Sequence, residues 1–331
     1  MHGIRVFSLI VIIFAACSLS AVSVHAQSAE FDAGYRAPRT AFGHPDLQGV
    51  WSNAVLTPLE RPEDLGNKAV LTPAEAQAYK QSRLAATNRD QRTDDNDADV
   101  ANAYNNFWWD SGEDVVRTLR TSLIVDPPNG RLPALTPAGV SRREARRRSI
   151  ADSPAGPEDL GLTTRCIHFS ASGPPMLPSA YNNNYRIVQT DDHVLIVNEM
   201  VHETRVVPLS RRPDVPDSIR LWLGSSRGRW DGETLVVVTR NRRDETSLRG
   251  SGMHMQLTER FTRVADDVLL YEFTVDDPDN FTRPWTAQIP SVRVDGIMYE
   301  YACHEGNRGL AGILAGARAA EAADGVAEDA N

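Results

Sequence analysis

The chain has 331 residues, with 44 Asp and Glu against 35 Lys and Arg and a formal net charge of −9. That acidity points away from nucleic acid and anionic membrane surfaces as partners. The length suffices for one large domain or two small ones with a sizeable core.

The first residues, Met1-His2-Gly3-Ile4-Arg5, carry one positive charge. An apolar run over 6–16 follows, then small residues ending in Val24-His25-Ala26. This is the pattern of a secretory signal over residues 1–26, so the mature protein is expected from Gln27 in the periplasm or outside the cell. Cleavage would remove Arg5 and leave a slightly more acidic chain. The apolar run is too short to span a bilayer and no later stretch is long enough, so no membrane span is expected. A competing reading makes Cys17 a lipid anchor, but Phe14 stands where a smaller aliphatic residue is usual. Of three cysteines, Cys17 would leave with the signal. In an oxidising compartment Cys166 and Cys303 are then expected to form a disulfide, two buried thiols being the alternative.

Residues 27–45 are polar and rich in Gly and Pro, an extended lead-in, and 46–53 read as the start of a strand. Thr72-Pro73-Ala74-Glu75 supplies an N-cap, a first-position proline and a carboxylate that reaches back to the cap, predicting a helix to about residue 86. The charge-dense stretch 88–97 reads as an exposed loop rather than a cation site. Aromatic residues concentrate over 104–110, before a strand over 118–125 and a turn over 126–130. Thr136-Pro137 opens a second helix; its arginines 142, 143 and 146–148 fit a solvated face better than an acidic-ligand site. From 185 to 301 the pattern becomes short β-branched runs: 185–190, 193–198, 204–209, 234–239, 255–264, 268–275, 285–294 and 297–301. Turn pairs such as Asp191-Asp192, Asp231-Gly232, Asp266-Asp267 and Asp295-Gly296 link them as hairpins. Many short hairpin strands favour a closed antiparallel barrel, because closure removes unpaired edges. The expected architecture is mainly β: one barrel domain over 46–315, helical insertions near 72–149, and a flexible tail over 316–331.

Gly49-Val50-Trp51 and Gly228-Arg229-Trp230 each place an indole where it can plug a barrel end, while glycine admits close backbone approach. The arrangement resembles the first-strand signature of calycin and lipocalin barrels. More of the chain resembles a widespread family of secreted bacterial proteins of unassigned activity, through Asp46-Leu47-Gln48-Gly49-Val50-Trp51-Ser52-Asn53, Thr57-Pro58-Leu59-Glu60-Arg61-Pro62, Arg120-Thr121-Ser122-Leu123-Ile124-Val125-Asp126-Pro127-Pro128, Tyr181-Asn182-Asn183-Asn184-Tyr185 and Tyr299-Glu300-Tyr301-Ala302-Cys303-His304-Glu305-Gly306-Asn307. The resemblance implies secretion and carries no reaction.

The last of these stretches is the densest cluster of chemical side chains. If 297–303 is a strand, Glu300 and the following His304 can face a barrel mouth and act as acid and base, with Tyr299 beside them; the alternative leaves His304 at the disulfide corner and Glu300 paired with an arginine. Arg260 and Glu272 lie on adjacent predicted strands and, if inward, form a buried ion pair or hold a polar ligand group. Glu199 and His202 suit a hairpin tip better than a metal site, and Asp276-Asp277-Pro278-Asp279 lacks the full spacing of a calcium loop. Tyr181 and Asn183, after a proline-rich loop, offer the aromatic face and amide edge that sugar or polyphenol recognition needs; the alternative is a structural turn, since Asn also tolerates left-handed conformations. Nucleophile-elbow, phosphate-loop, dinucleotide and haem motifs do not occur.

Three functions compete. The first is an exported enzyme for a small organic substrate, a lyase, hydratase or isomerase that requires no cofactor, with Glu300, His304, Glu272 and Tyr299 as its acid and base groups. The second is a periplasmic barrel that holds an apolar or aromatic small molecule through Trp51, Asn53, Trp108, Tyr181, Asn183, Trp230, Arg260 and Trp285. The third is a structural or partner-binding secreted protein. Convergent ionisable groups in the pocket favour the first, an apolar lining the second and a filled barrel the third.

Overall fold

The computed structural model describes residues 31–328, apart from 33, 91–93, 102–105, 149–153, 211–212, 214 and 247. The expected signal over 1–26 and Tyr104 therefore lie outside the described residues. Ten strands form one sheet: β1 (Gly49–Ser52), β2 (Ile124–Asp126), β3 (Asn184–Gln189), β4 (His193–Asn198), β5 (Thr204–Pro208), β6 (Ser225–Asp231), β7 (Thr234–Arg240), β8 (Gln256–Ala265), β9 (Val268–Asp276) and β10 (Trp285–Arg293). Every pairing is antiparallel.

The hydrogen-bonded order β5-β4-β3-β1-β10-β9-β8-β7-β6 leaves β5 and β6 at its two ends, while β2 pairs separately with β10. These ends approach each other. A Cβ built on Gly228 of β6 would stand 2.9 Å from both Val207 of β5 and Leu209 just beyond it. The result is a nearly closed nine-stranded up-and-down barrel in which the first strand meets the last and only the β5/β6 seam lacks ladder bonds. Glycine at 228 is what lets that seam tighten, so the close approach expected of Gly-x-Trp occurs there.

Alternation decides what fills the barrel. Inward positions include Leu257, Phe261, Tyr271, Phe273, Trp285 and Ile289, all fully buried. Phe261 and Tyr271 stack with centroids 4.9 Å apart, Tyr271 and Phe273 are 5.7 Å apart, and Phe273 meets Trp285 edge-on at 5.5 Å. Trp51 donates from Nε1 to Leu47 O at 2.9 Å and lies beneath the Arg293 guanidinium, 5.4 Å from its ring centroid. The barrel is a packed core, not an open calyx.

Helix α1 (Pro73–Thr87) starts at the capping box the sequence predicts: Glu75 N donates to Thr72 Oγ1 and Thr72 N donates to Glu75. Helices α2 (Asn96–Ala101) and α3 (Pro137–Arg148) complete the insertions. Two expectations are corrected. The strand over 118–125 shrinks to β2, because Leu119 is left-handed and Arg120 turns inward to donate to Ser122 O at 3.0 Å. Residues 297–301 form no strand. Residues 316–328 belong to helix α4 (Arg308–Glu328). Among the described residues no helix is long and apolar enough to cross a membrane.

Candidate functional site

The end of the barrel where β1 and β7 finish is closed by the segment 161–183. Residues 171–177 within it are all buried, and Cys166 is disulfide-bonded to Cys303 with Cα atoms 5.8 Å apart. The cap is held from below. Met176 N donates to the Tyr271 hydroxyl at 3.1 Å, and Asn53 Nδ2 donates to Met176 O at 3.3 Å.

Under the cap lies an ionic cluster. Glu259, fully buried on β8, receives both terminal nitrogens of Arg205 from β5, one contact measuring 3.0 Å, and the Tyr271 hydroxyl at 2.8 Å. Burial and the adjacent Glu259 carboxylate drive the Tyr271 phenol far above its ordinary range. Burial opposes the Arg205 charge, but Glu259 more than offsets it and the guanidinium is held cationic. Arg242, after β7, is 1% exposed and donates from Nη1 to Pro174 O. Its Nε and Nη2 have no hydrogen-bond partner among the described residues. Desolvation brings Arg242 down to about 10, still cationic at neutral pH. His168 on the cap is lowered to about 4, first by removal from water and then by the Arg242 charge. Glu259, Arg205 and Tyr271 are committed to one another, and Tyr271 and Arg242 also bond to the cap, so they hold its position.

The His168 shift has a measurable consequence. The unfolded chain takes up a proton near pH 6.5, whereas the folded protein resists it until about 4. Acidification between these values favours the unfolded state, and that part of the stability is lost as pH falls. Between pH 7.5 and 5 the expected loss is about 1–2 kcal/mol for this partly buried group. Urea denaturation at both pH values should show a smaller decline for His168→Gln than for the unaltered protein; equal declines would remove the histidine from the account.

Open space lies beside the cap rather than under it. A groove of about 620 Å³ has a floor of Leu56, Leu123, Leu177 and Leu248, a wall at Trp109, and Arg83 and Arg249 among its lining. The Trp109 wall is built by close approach: a Cβ on Gly112, at φ +90°, would stand 2.6 Å from Val55 N, so only glycine lets this segment lie against residues 54–55. Asn183, buried, ties the same segment to the cap by donating to Asp110 O and to Ser179 O (2.9 Å) while accepting from Ser179 N (2.7 Å). Tyr181 meets Trp109 edge-on at 6.3 Å, and the Arg89 guanidinium covers the indole at 4.5 Å. The groove lining contains no carboxylate among the described residues.

Sequence-predicted candidates are placed unevenly around this geometry. Asn183 positions the groove wall and Tyr181 buttresses it, while Asn53 holds the cap. Trp51 and Trp285 are core residues with no exposure. Trp230 stacks on His44 at 5.1 Å, at the barrel end away from the cap. Trp108 is 59% exposed and meets the Phe107 ring edge-on, whereas its neighbour Trp109 lines the groove. Arg260 and Glu272 do pair across strands, 3.9 Å apart, but on the outer face, where Glu272 accepts from Gln288 Nε2 at 2.7 Å. The inward pair is Glu259 and Tyr271, one residue earlier on each strand. Tyr299, Glu300 and His304 are exposed and outside the barrel; Glu300 lines a second groove of about 580 Å³ with Tyr181, Tyr301 and the disulfide. Glu199 sits at the β4/β5 tip and accepts from Asn184 N at 3.2 Å; no group of three metal-ligating side chains forms among the described residues. No protein-family model matches the chain, and no curated protein matches it.

Proposed function

We propose that the protein is an exported binding protein that holds a small apolar or aromatic molecule in the groove beside the cap. The observation that carries this reading is the Trp109 wall over a leucine floor, in a space of about 620 Å³, the size range of small-ligand sites. A filled barrel alone fits a scaffold; here it supplies rigidity, and the ligand would lie on the loops that the barrel end supports. The acid–base reading has weaker support, because Glu300 and His304 are exposed and neither lines this groove. Export rests on the signal pattern over 1–26, and the secreted-family reading on the motifs that resemble it.

The test is a fluorescence titration with N-phenyl-1-naphthylamine, a neutral aromatic probe. One saturable site is expected, with affinity reduced roughly tenfold by Trp109→Ala and unchanged by Trp108→Ala. Absence of saturable binding, or equal effects of the two substitutions, would overturn the reading.

A further inference from the structure

The ligand's charge can be inferred from the groove, and this step rests on the binding reading above. The chain as a whole is acidic, yet Arg83 and Arg249 are among the residues lining the groove, with no Asp or Glu among its described lining residues; Arg249 also borders an adjoining groove that holds Glu60. Arg83 lies on α1, whose C-terminal part also contributes Thr87, and Arg249 follows Leu248 of the floor. Both side chains are exposed and neither makes a hydrogen bond or ion pair among the described residues. Some exposed arginines elsewhere find acids, Arg283 with Asp126 and Arg318 with Glu321, while others such as Arg186 and Arg229 make no side-chain pair among the described residues, as Arg83 and Arg249 do not. Arg249 also holds a left-handed backbone at φ 52°, beside Gly250 at φ 97°. A non-glycine residue adopts that conformation at a cost, and such strain concentrates where a side chain must be aimed.

We propose that the natural ligand is an aromatic or apolar molecule bearing one anionic group, a carboxylate or sulfonate. Its apolar body lies on the leucine floor against Trp109, and its anionic group is met by Arg83 and Arg249. Guanidinium groups suit such an oxyanion because they present paired N–H donors in a plane. The apolar floor sets the class apart from inorganic phosphate, which would gain nothing from it.

The experiment compares two dyes with one skeleton, 8-anilinonaphthalene-1-sulfonate and its neutral counterpart N-phenyl-1-naphthylamine, on the full mature protein. The sulfonate is expected to bind at least roughly tenfold more tightly. Arg83→Gln with Arg249→Gln should abolish that preference, Arg249→Lys should keep most of it, and raising the salt should weaken the sulfonate alone. Both positions are exposed, so the variants are expected to fold, and an unchanged melting temperature checks this. Equal affinity for the two dyes, or a sulfonate preference indifferent to both arginines, overturns the anion inference and leaves the binding reading standing. Binding of neither dye overturns both.

Discussion

Glu259→Gln is expected to lower the unfolding free energy by about 3–5 kcal/mol, the range for breaking a buried ion pair at one partner. The amide fills the same space but leaves Arg205 buried without its counter-charge and near a second buried cation, Arg242. Each guanidinium disfavours the other in a medium that screens poorly. The effect should therefore exceed that of Tyr271→Phe, which removes only a neutral hydroxyl bridging Glu259 and the cap and should cost about 1–3 kcal/mol. Replacing the pair together, Arg205→Met with Glu259→Leu, should recover most of the loss, because apolar side chains of similar volume avoid desolvation altogether. Urea midpoints for the three variants decide the matter. A Glu259→Gln loss under about 1 kcal/mol, or a double variant no better than the single, would mean that this pair is not a closed unit.

The same pair marks where the sequence is legible and where it is not. Strands β3 to β5 and β7 to β10 follow from β-branched runs between turn pairs, and closure follows from their number. Within β8 and β9, however, attention falls naturally on Arg260 and Glu272, which look like partners and are partners across the ladder. Alternation settles their face. Leu257, Phe261, Phe273 and Val275 share parity with Glu259 and Tyr271, so an inward apolar stripe carries those two inside and leaves Arg260 and Glu272 outside. That signal was available in the sequence. Nothing comparable marks the groove, whose lining comes from residues within 55–59, 83–87, 109–111, 170–180 and 248–249 and from Leu123, which have no common periodicity. Trp109 rather than Trp108 forms its wall because Gly112 and Asn183 fix that segment, a long-range constraint with no local signature.

Removing the Cys166–Cys303 bond should have the other large effect. The two cysteines are 137 residues apart, and the loop they close contains β3 through β10. In the chain-entropy description, cutting such a loop frees the unfolded chain by about 4–5 kcal/mol at 25 °C. The folded state has its own tether there. Asn307 Nδ2 donates to Thr164 O at 2.8 Å, Tyr301 meets Phe169 at 6.2 Å, and Arg318 donates to Pro154 O and Ala155 O at 2.8 and 2.9 Å. Those contacts are mostly part-buried hydrogen bonds and a ring contact, and each contributes only modestly alone. Cys166→Ser with Cys303→Ser should thus show two separable changes: a fall of about 3–5 kcal/mol in unfolding free energy, and faster amide exchange over 297–328 while the barrel strands stay protected. Unchanged far-ultraviolet circular dichroism at 25 °C would accompany both, since the sheet does not depend on the bond for its pairing. If stability falls without local exchange, the contacts of α4 hold the C-terminal segment by themselves and the bond acts on the unfolded chain alone. If neither changes, the closed loop does not limit the unfolded ensemble, and the cap's position depends on Glu259, Tyr271 and Arg242 from beneath.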